Sequence, residues 1–221
     1  MRGRAGPDAP RASAMASSTR AKRGHAATAT GAKRGRPATA SPQDVVRVVR
    51  EQYLRGDRVD VTVVARQLGL GRATIYRWFG SREALISEAI FQEFELLLAE
   101  KRKGVKGSGA EWLLDVLDRI NRALSHSSAL RRLLEQERQV GLRLLTSSGG
   151  GVQPRVVACV RELIEEQVAA GSYEPTASAE TLAYALVRLM EAFLYNDAAV
   201  GIRGDHERMR EVQAALLGVR P

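Results

Sequence analysis

From residue 42 onward, apolar positions recur at three- and four-residue spacing, the period of amphipathic helices, and no stretch alternates with the two-residue period of a strand. Val45, Val46, Val49, Tyr53 and Leu54 predict a first helix. Ser41 would cap it, Pro42 suits its first turn because a missing N–H costs nothing there, and Gly56 would end it. Val61, Val64, Ala65 and Leu68 predict a short second helix behind Asp60, whose carboxylate can accept from free N–H groups. Gly69-Leu70-Gly71 stops it, with Leu70 able to pack back inward. A third helix over Arg72 to Phe79 has Ile75 and Phe79 on its inner face, and its Tyr76-Arg77-Trp78 run is costly to leave uncovered. Ser81 would cap a fourth helix to about Lys103, with Leu85, Ile86, Ala89, Ile90, Phe94, Leu97 and Leu98 inward.

The stretch 101–109, with three glycines and four cations, reads as a loop. Helical periods resume over roughly 109–125, 128–145, 152–170, 178–199 and 205–217, with glycine-rich or serine-rich breaks between them. The expected fold is therefore all-α, a three-helix head followed by a helical bundle. The helix over 178–199 is apolar nearly all round, as befits burial on several sides. Ala179, Leu182, Leu186, Leu189 and Phe193, with Met209, Val212, Leu216 and Leu217 of the last helix, offer more apolar surface than one half-bundle needs. Either a second copy covers it or the helix lies inside a monomeric bundle.

Charge divides the chain further. The net charge is +9, but residues 1–40 hold nine Lys/Arg against Asp8 alone, while residues 104–221 are slightly acidic. The basicity belongs to an arm rich in Ala, Gly, Ser, Thr and Pro, which cannot bury enough surface to offset chain entropy and is expected to be disordered when free. Three segments follow: a basic arm over 1–40, a head over 41–84 with its key motif at about 61–80, and a body over 85–221.

The head has the makings of a DNA reader. A helix fits the major groove, arginine bonds guanine in bidentate fashion, and hydroxyls and aromatics reach phosphates and thymine methyls. Ala65-Arg66-Gln67-Leu68-Gly69-Leu70-Gly71-Arg72-Ala73-Thr74-Ile75-Tyr76-Arg77-Trp78-Phe79, followed by Ser81-Arg82-Glu83-Ala84-Leu85, resembles the helix-turn-helix signature of the TetR family of bacterial one-component transcription regulators. Trp78 departs from the family's usual histidine, and Gly71 from a frequent capping serine. The resemblance implies a homodimer on a palindromic operator, with the last two long helices pairing with their symmetry mates. It also implies a repressor released by a small-molecule effector held in the body. By that resemblance Arg72, Ala73 and Arg77 face bases with Thr62 close by, while Thr74, Tyr76, Trp78 and Arg82 hold phosphates. Arg82 in a helix's first turn is electrostatically misplaced unless an anion lies nearby. Within the arm, Lys33-Arg34-Gly35-Arg36-Pro37 resembles an AT-hook core, so Arg34 and Arg36 suit a narrow minor groove. The body from Leu130 to Leu217 is similar to the lactone-responsive QsdR-type subgroup.

Other chemistry is missing. His25, His126 and His206 stand at no metal-ligand spacing, the 149–151 glycine run lacks the Gly-Lys-Ser/Thr of a phosphate loop, and no Gly-x-Ser-x-Gly elbow occurs. No catalytic group, metal or cofactor is expected. One constellation stands out: Tyr184, Arg188, Glu191 and Tyr195 are spaced four, three and four apart on the apolar helix, so they share a face. Buried ionisable groups need partners. Either Arg188 and Glu191 are a pair that fixes packing or the dimer seam, or the whole face of Tyr184, Arg188, Glu191 and Tyr195, with Trp112 and Leu144, lines an amphipathic small-molecule pocket. No apolar run of membrane-spanning length occurs, and the lone Cys159 has no disulfide partner, so the cytoplasm is the expected compartment. The rival reading is an architectural, nucleoid-type DNA binder that works through the basic arm.

Overall fold

The computed structural model describes residues 40–195 and 205–219, and among these it contains ten helices and no strand. They are α1 (Pro42–Arg55), α2 (Val61–Leu68), α3 (Arg72–Phe79), α4 (Arg82–Lys101), α5 (Gly109–Ser125), α6 (Ser128–Gln136), α7 (Arg138–Thr146), α8 (Gln153–Ala169), α9 (Ala179–Tyr195) and α10 (His206–Leu217). No helix among them is long and apolar enough to cross a membrane. The basic arm, with Arg34 and Arg36, lies outside the described residues, as does the end of the expected 178–199 helix.

The head's boundaries follow from its caps. Ser41 Oγ accepts from Asp44 N, and the Asp44 carboxylate accepts from Ser41 N at 2.9 Å, a reciprocal box that stabilises the start of α1 by about 1 kcal/mol. Gly56 closes α1 at φ 73°, a left-handed conformation that a Cβ would strain. Asp60 Oδ1 accepts from Thr62 N at 2.7 Å, which holds the Asp60 carboxyl below its ordinary range and opens α2. Val45, Val49, Val64, Ile75 and Leu85 are wholly buried and tie α1 to α4 together. Leu54 is a correction: it is 43% exposed, and Val48 takes its place in the stripe.

The largest departure from the expected pattern is at residue 137. The continuous period over 128–145 is two helices, broken at Glu137 (φ −135°, ψ 50°). The break turns the Glu137 carboxylate onto the Arg82 guanidinium in a two-pronged bond, at 2.7 and 2.9 Å, while Arg82 Nε donates to Val59 O at 2.8 Å. Hydrophobic period cannot report this, because the break serves an ion pair and leaves the apolar stripe intact. Arg132 and Gln136 of α6 also donate to the carbonyls of Arg55 and Gly56, which satisfy orphan acceptors at the end of α1.

Head and body share one core, which runs from Val45 through α4 to Ile164 and Leu186 of the body. The division expected at residues 84/85 falls inside α4, which belongs to both. In the body, α9 packs between α8 and α10, and Asn121 Nδ2 donates to Gln213 Oε1 at 3.0 Å to join α5 to α10 inside the core. The glycine run at 149–151 lets two backbones approach. Gly150 O accepts from the buried Ser87 Oγ at 2.7 Å, and a Cβ at Gly150 would run into the carbonyls of Arg143 and Leu144.

Gly150→Ala should therefore lower stability by roughly 1–3 kcal/mol, read by denaturant titration. Gly149→Ala, whose added carbon meets open space, should stay within about 0.5 kcal/mol, and similar losses for both would refute the close-approach reading. The Arg82 hydrogen bonds hold the Glu137 carboxyl below its ordinary range against partial burial. A depressed carboxylate stabilises the fold above its unfolded value of about 4.3 and loses that contribution as pH falls through the folded value. Glu137→Gln should cost roughly 1.5–3 kcal/mol at neutral pH, and its deficit against wild type should shrink in acid below about pH 4.

Candidate nucleic-acid interface and internal cavity

Four of the residues expected to meet DNA share an open surface. Thr62 at the start of α2 and Arg72, Ala73 and Arg77 on α3 are all exposed. Thr74, Tyr76 and Trp78 are half-buried, with Tyr76 and Trp78 packed against the head's core, so the run is less naked than its sequence suggests. The Arg72 guanidinium stands 6.0 Å from the Tyr76 ring centroid. Gly71 contributes no side-chain cap to α3, which leaves the first N–H groups of that helix without a side-chain acceptor.

Arg82 differs from the rest. Its guanidinium is occupied by Glu137 and its side chain is only 20% exposed, so the anion that its place in the first turn demands comes from the chain itself. Arg58 approaches the same carboxylate at 3.6 Å. Arg82 is here a brace between the head and the α6–α7 corner.

Within the body lies a cavity of about 250 Å³. Its walls come from α1 (Tyr53, Leu54), α4 (Ile90, Glu93, Phe94, Leu97), α6 (Leu130), α8 (Gln153, Val156) and α9 (Val187, Met190, Glu191, Tyr195). Of the six residues expected to hold a ligand, Glu191 and Tyr195 line it. Four do not. Leu144 is buried on α7 beside Gly150 and Ser87, and Trp112 is buried on α5 with the Arg102 guanidinium 5.7 Å from its ring centroid. Tyr184 is 50% exposed, and Arg188 runs along the outside, bonding Glu191 Oε2 at 2.7 Å and Thr146 O at 2.8 Å.

The four-residue face on α9 is real, but it runs from solvent to interior. Arg188 stands 5.6 Å from the Tyr184 ring at the wet end, and Tyr195 is fully buried at the dry end, where burial pushes its phenol pKa up. Tyr53 is shifted the same way by burial, with Glu93 adding to it and Ser127 within reach of its hydroxyl. Sequence reasoning missed Tyr53 and Leu54 because they belong to a helix assigned to the head, and Glu93 because a single carboxylate on the polar side of α4 carries no signal of its own. The one available signal was a polar hydroxyl inside the buried stripe of α1.

The apolar surplus of the last two helices is mostly spent within the chain. Leu182, Leu186, Phe193, Met209 and Leu217 are all buried, leaving Tyr184 and Val212 exposed and Leu189 and Leu216 half-exposed.

Comparison with known proteins agrees with this architecture. The family model described as tetracyclin repressor-like, C-terminal domain, matches residues 108–218, half of the chain. The solved structure of the transcriptional repressor QsdR of R. erythropolis, from the TetR family, is similar at TM-score 0.74 and 29% identity, over 81% of this chain and 95% of that one. FadR of Bacillus subtilis, solved with stearoyl-CoA, is similar at TM-score 0.48 and 12% identity over 80% and 99%. A tetR-family regulator from Streptomyces coelicolor gives 0.46 and 18% over 79% of each chain, and neither of these two distant likenesses carries weight here. Comparison with curated proteins returns no match. With a helix-turn-helix head, a helical body that matches this family's model and a close structural counterpart in a TetR-family repressor, the chain belongs to the TetR family of DNA-binding transcriptional regulators.

Proposed function

We propose that the protein is a homodimeric, cytoplasmic repressor whose two heads grip a palindromic operator and whose cavity binds a small effector that releases it. The observation that carries the effector half is the composition of the cavity wall. Tyr53 and Leu54 come from α1, the first helix of the DNA-binding head, and Glu93 beside them is bonded to Arg50 of that same helix at 3.1 Å. A ligand in the cavity would therefore touch the head directly as well as α4. Effectors shift an equilibrium only through different affinity for its two states. A cavity shared between α1 and the body supplies that difference, because rotating the head changes the cavity's shape.

On DNA, Thr62, Arg72, Ala73 and Arg77 would meet bases, and Thr74, Tyr76 and Trp78 phosphates. A dimer would set two such heads roughly 34 Å apart, one turn of the duplex. The apolar side chains that α9 and α10 leave uncovered, Leu189 with Val212 and Leu216, are the seam we assign to the partner copy. Arg34 and Arg36 would add a minor-groove contact at the flank.

Selection of bound fragments from genomic DNA by the purified full chain should recover a two-fold symmetric site, and sedimentation should give a dimer. A monomer without sequence preference at moderate salt would end this reading. On the selected site, Arg77→Ala should cost about 1–3 kcal/mol and relax preference at one base position per half-site. Tyr76→Ala should weaken binding alike on all sequences, and sequence-blind losses from both would contradict the assignments. Deleting residues 1–40 should weaken binding and flatten its salt dependence while leaving the site preference intact. Complete loss would favour an architectural binder that works through its arm.

A further inference from the structure

The charged side chains that face the cavity are both carboxylates, while Tyr53, Tyr195, Ser127 and Gln153 can donate as well as accept. Glu93, Glu191 and the hydroxyl-bearing Tyr53, Tyr195 and Ser127 line it, and no Lys, Arg or His does. The cations that neutralise the two carboxylates come from elsewhere: Arg188 takes Glu191 Oε2 at 2.7 Å, and Arg50 takes Glu93 Oε2 at 3.1 Å. Glu191 Oε1 is left over. It belongs to a residue only 6% exposed, and among the described residues it has no hydrogen-bond partner.

A buried acceptor without a donor is destabilising, since the water it gave up is not replaced. A carboxylate oxygen left in that state on the wall of an otherwise apolar cavity is suited to a donor that arrives with a ligand. Gln153 also lines the cavity, and its side chain lies near enough to favour the ionised Glu191 without completing a hydrogen bond to Oε1. Burial pushes the Glu191 carboxyl above its ordinary range, against the Arg188 hydrogen bond, so a donor head would relieve the cost that raises it. The opposite polarity fits poorly at this atom: a carboxylate ligand would face Glu191 and Glu93, and a lactone, although it could accept from the hydroxyls or Gln153, would leave Glu191 Oε1 without a donor.

The space of about 250 Å³ is partly open, with Leu54 on its wall 43% exposed, so it favours a compact ligand without capping the length of its chain. We infer that the cavity takes a small lipophilic molecule with a hydrogen-bond-donating head, an amine or an alcohol, whose head bonds Glu191 Oε1 and whose chain lies against Phe94, Val187 and Met190. This rests on the effector reading above and specifies the ligand's chemistry.

The test uses four eight-carbon probes, octylamine, octan-1-ol, octanoate and γ-octalactone, on the full chain, with thermal shift and calorimetry as readouts. Octylamine and octan-1-ol should raise Tm and bind, whereas octanoate and the lactone should not. Glu191→Leu should weaken both donors by at least roughly tenfold. Glu191→Gln, which keeps an acceptor but drops the charge, should weaken octylamine more than octan-1-ol. The Leu variant is expected to fold, because the partner it leaves, Arg188, is already 44% exposed and bonds Thr146 O, so no buried charge is left unpaired. Circular dichroism checks this. Equal binding by octanoate or lactone, unchanged donor affinity in both variants, or no binding by any probe would overturn the inference. If octylamine binds through Glu191 yet leaves affinity for the selected DNA site unchanged, the ligand class stands and the release reading fails.

Discussion

Helix α1 has to satisfy two cores at once, and most of the molecule's organisation follows from that constraint. Its first two turns bury Val45, Val46, Val48 and Val49 under α2 to α4 and so set the angle of the helix-turn-helix. Its last turn carries Tyr53 into the cavity of the body. A helix that serves both cannot rotate for one without disturbing the other. The chain fixes its C-terminal end accordingly: Arg132 and Gln136 of α6 bond the Arg55 and Gly56 carbonyls, and Gly56 sits so close to the Arg132 side chain that a larger residue would displace it.

The same need for a defined head position accounts for the odd electrostatics of Arg82. A cation in the first turn of α4 opposes the helix dipole, which near a surface is worth about 0.3–1 kcal/mol per charge. The bidentate bond to Glu137 and the third bond to Val59 O outweigh that, since hydrogen bonds to charged groups contribute about 1.5–3 kcal/mol each. The result links the α2 entrance, the start of α4 and the α6–α7 corner at one guanidinium. An isolated surface pair would contribute almost nothing. This one is largely shielded from water on both sides, so its geometry constrains where the head can go.

Legibility in the sequence tracked the range of the interactions involved. Caps and helix ends are local, and Ser41, Gly56, Asp60, Gly69 and Ser81 all stand where their chemistry put them. Helices α5, α8 and α10 match their periodic segments to within a residue or so. The helix-turn-helix over α2 and α3 was legible because its signal is an ordered string of residue types. What failed was long-range. The break at Glu137 depends on Arg82, 55 positions away, and leaves no mark on the hydrophobic period. The cavity was half found: Glu191 and Tyr195 follow from helical spacing, but Trp112 and Leu144 are ordinary core, and the wall supplied by α1 could not be read from a segment assigned to another unit. Apolar excess on α9 and α10 is mostly explained within the chain, because a helix buried on several sides by its own neighbours shows the same pattern.

These constraints also limit how an effector can act. The wall of the cavity is shared, so part of a ligand's contact would fall on surfaces, Tyr53 and Leu54, that must move if the head rotates. Arg50–Glu93 lies on that shared wall, while Arg82–Glu137 lies behind it at the corner of α6 and α7. A guest that spreads α1 from α9 would strain the first pair directly and the second through α6, whose Leu130 faces the cavity while Arg132 and Gln136 hold α1. Reversing a hundredfold bias between two head positions takes about 5.5 kcal/mol of differential affinity. One satisfied acceptor at Glu191 supplies only about 0.5–1.5 kcal/mol, or about 1.5–3 if the ligand's head is charged. The remainder has to come from apolar contact with α1 itself, which makes the fit against Tyr53, more than the bond to Glu191, the step that would convert occupancy into release.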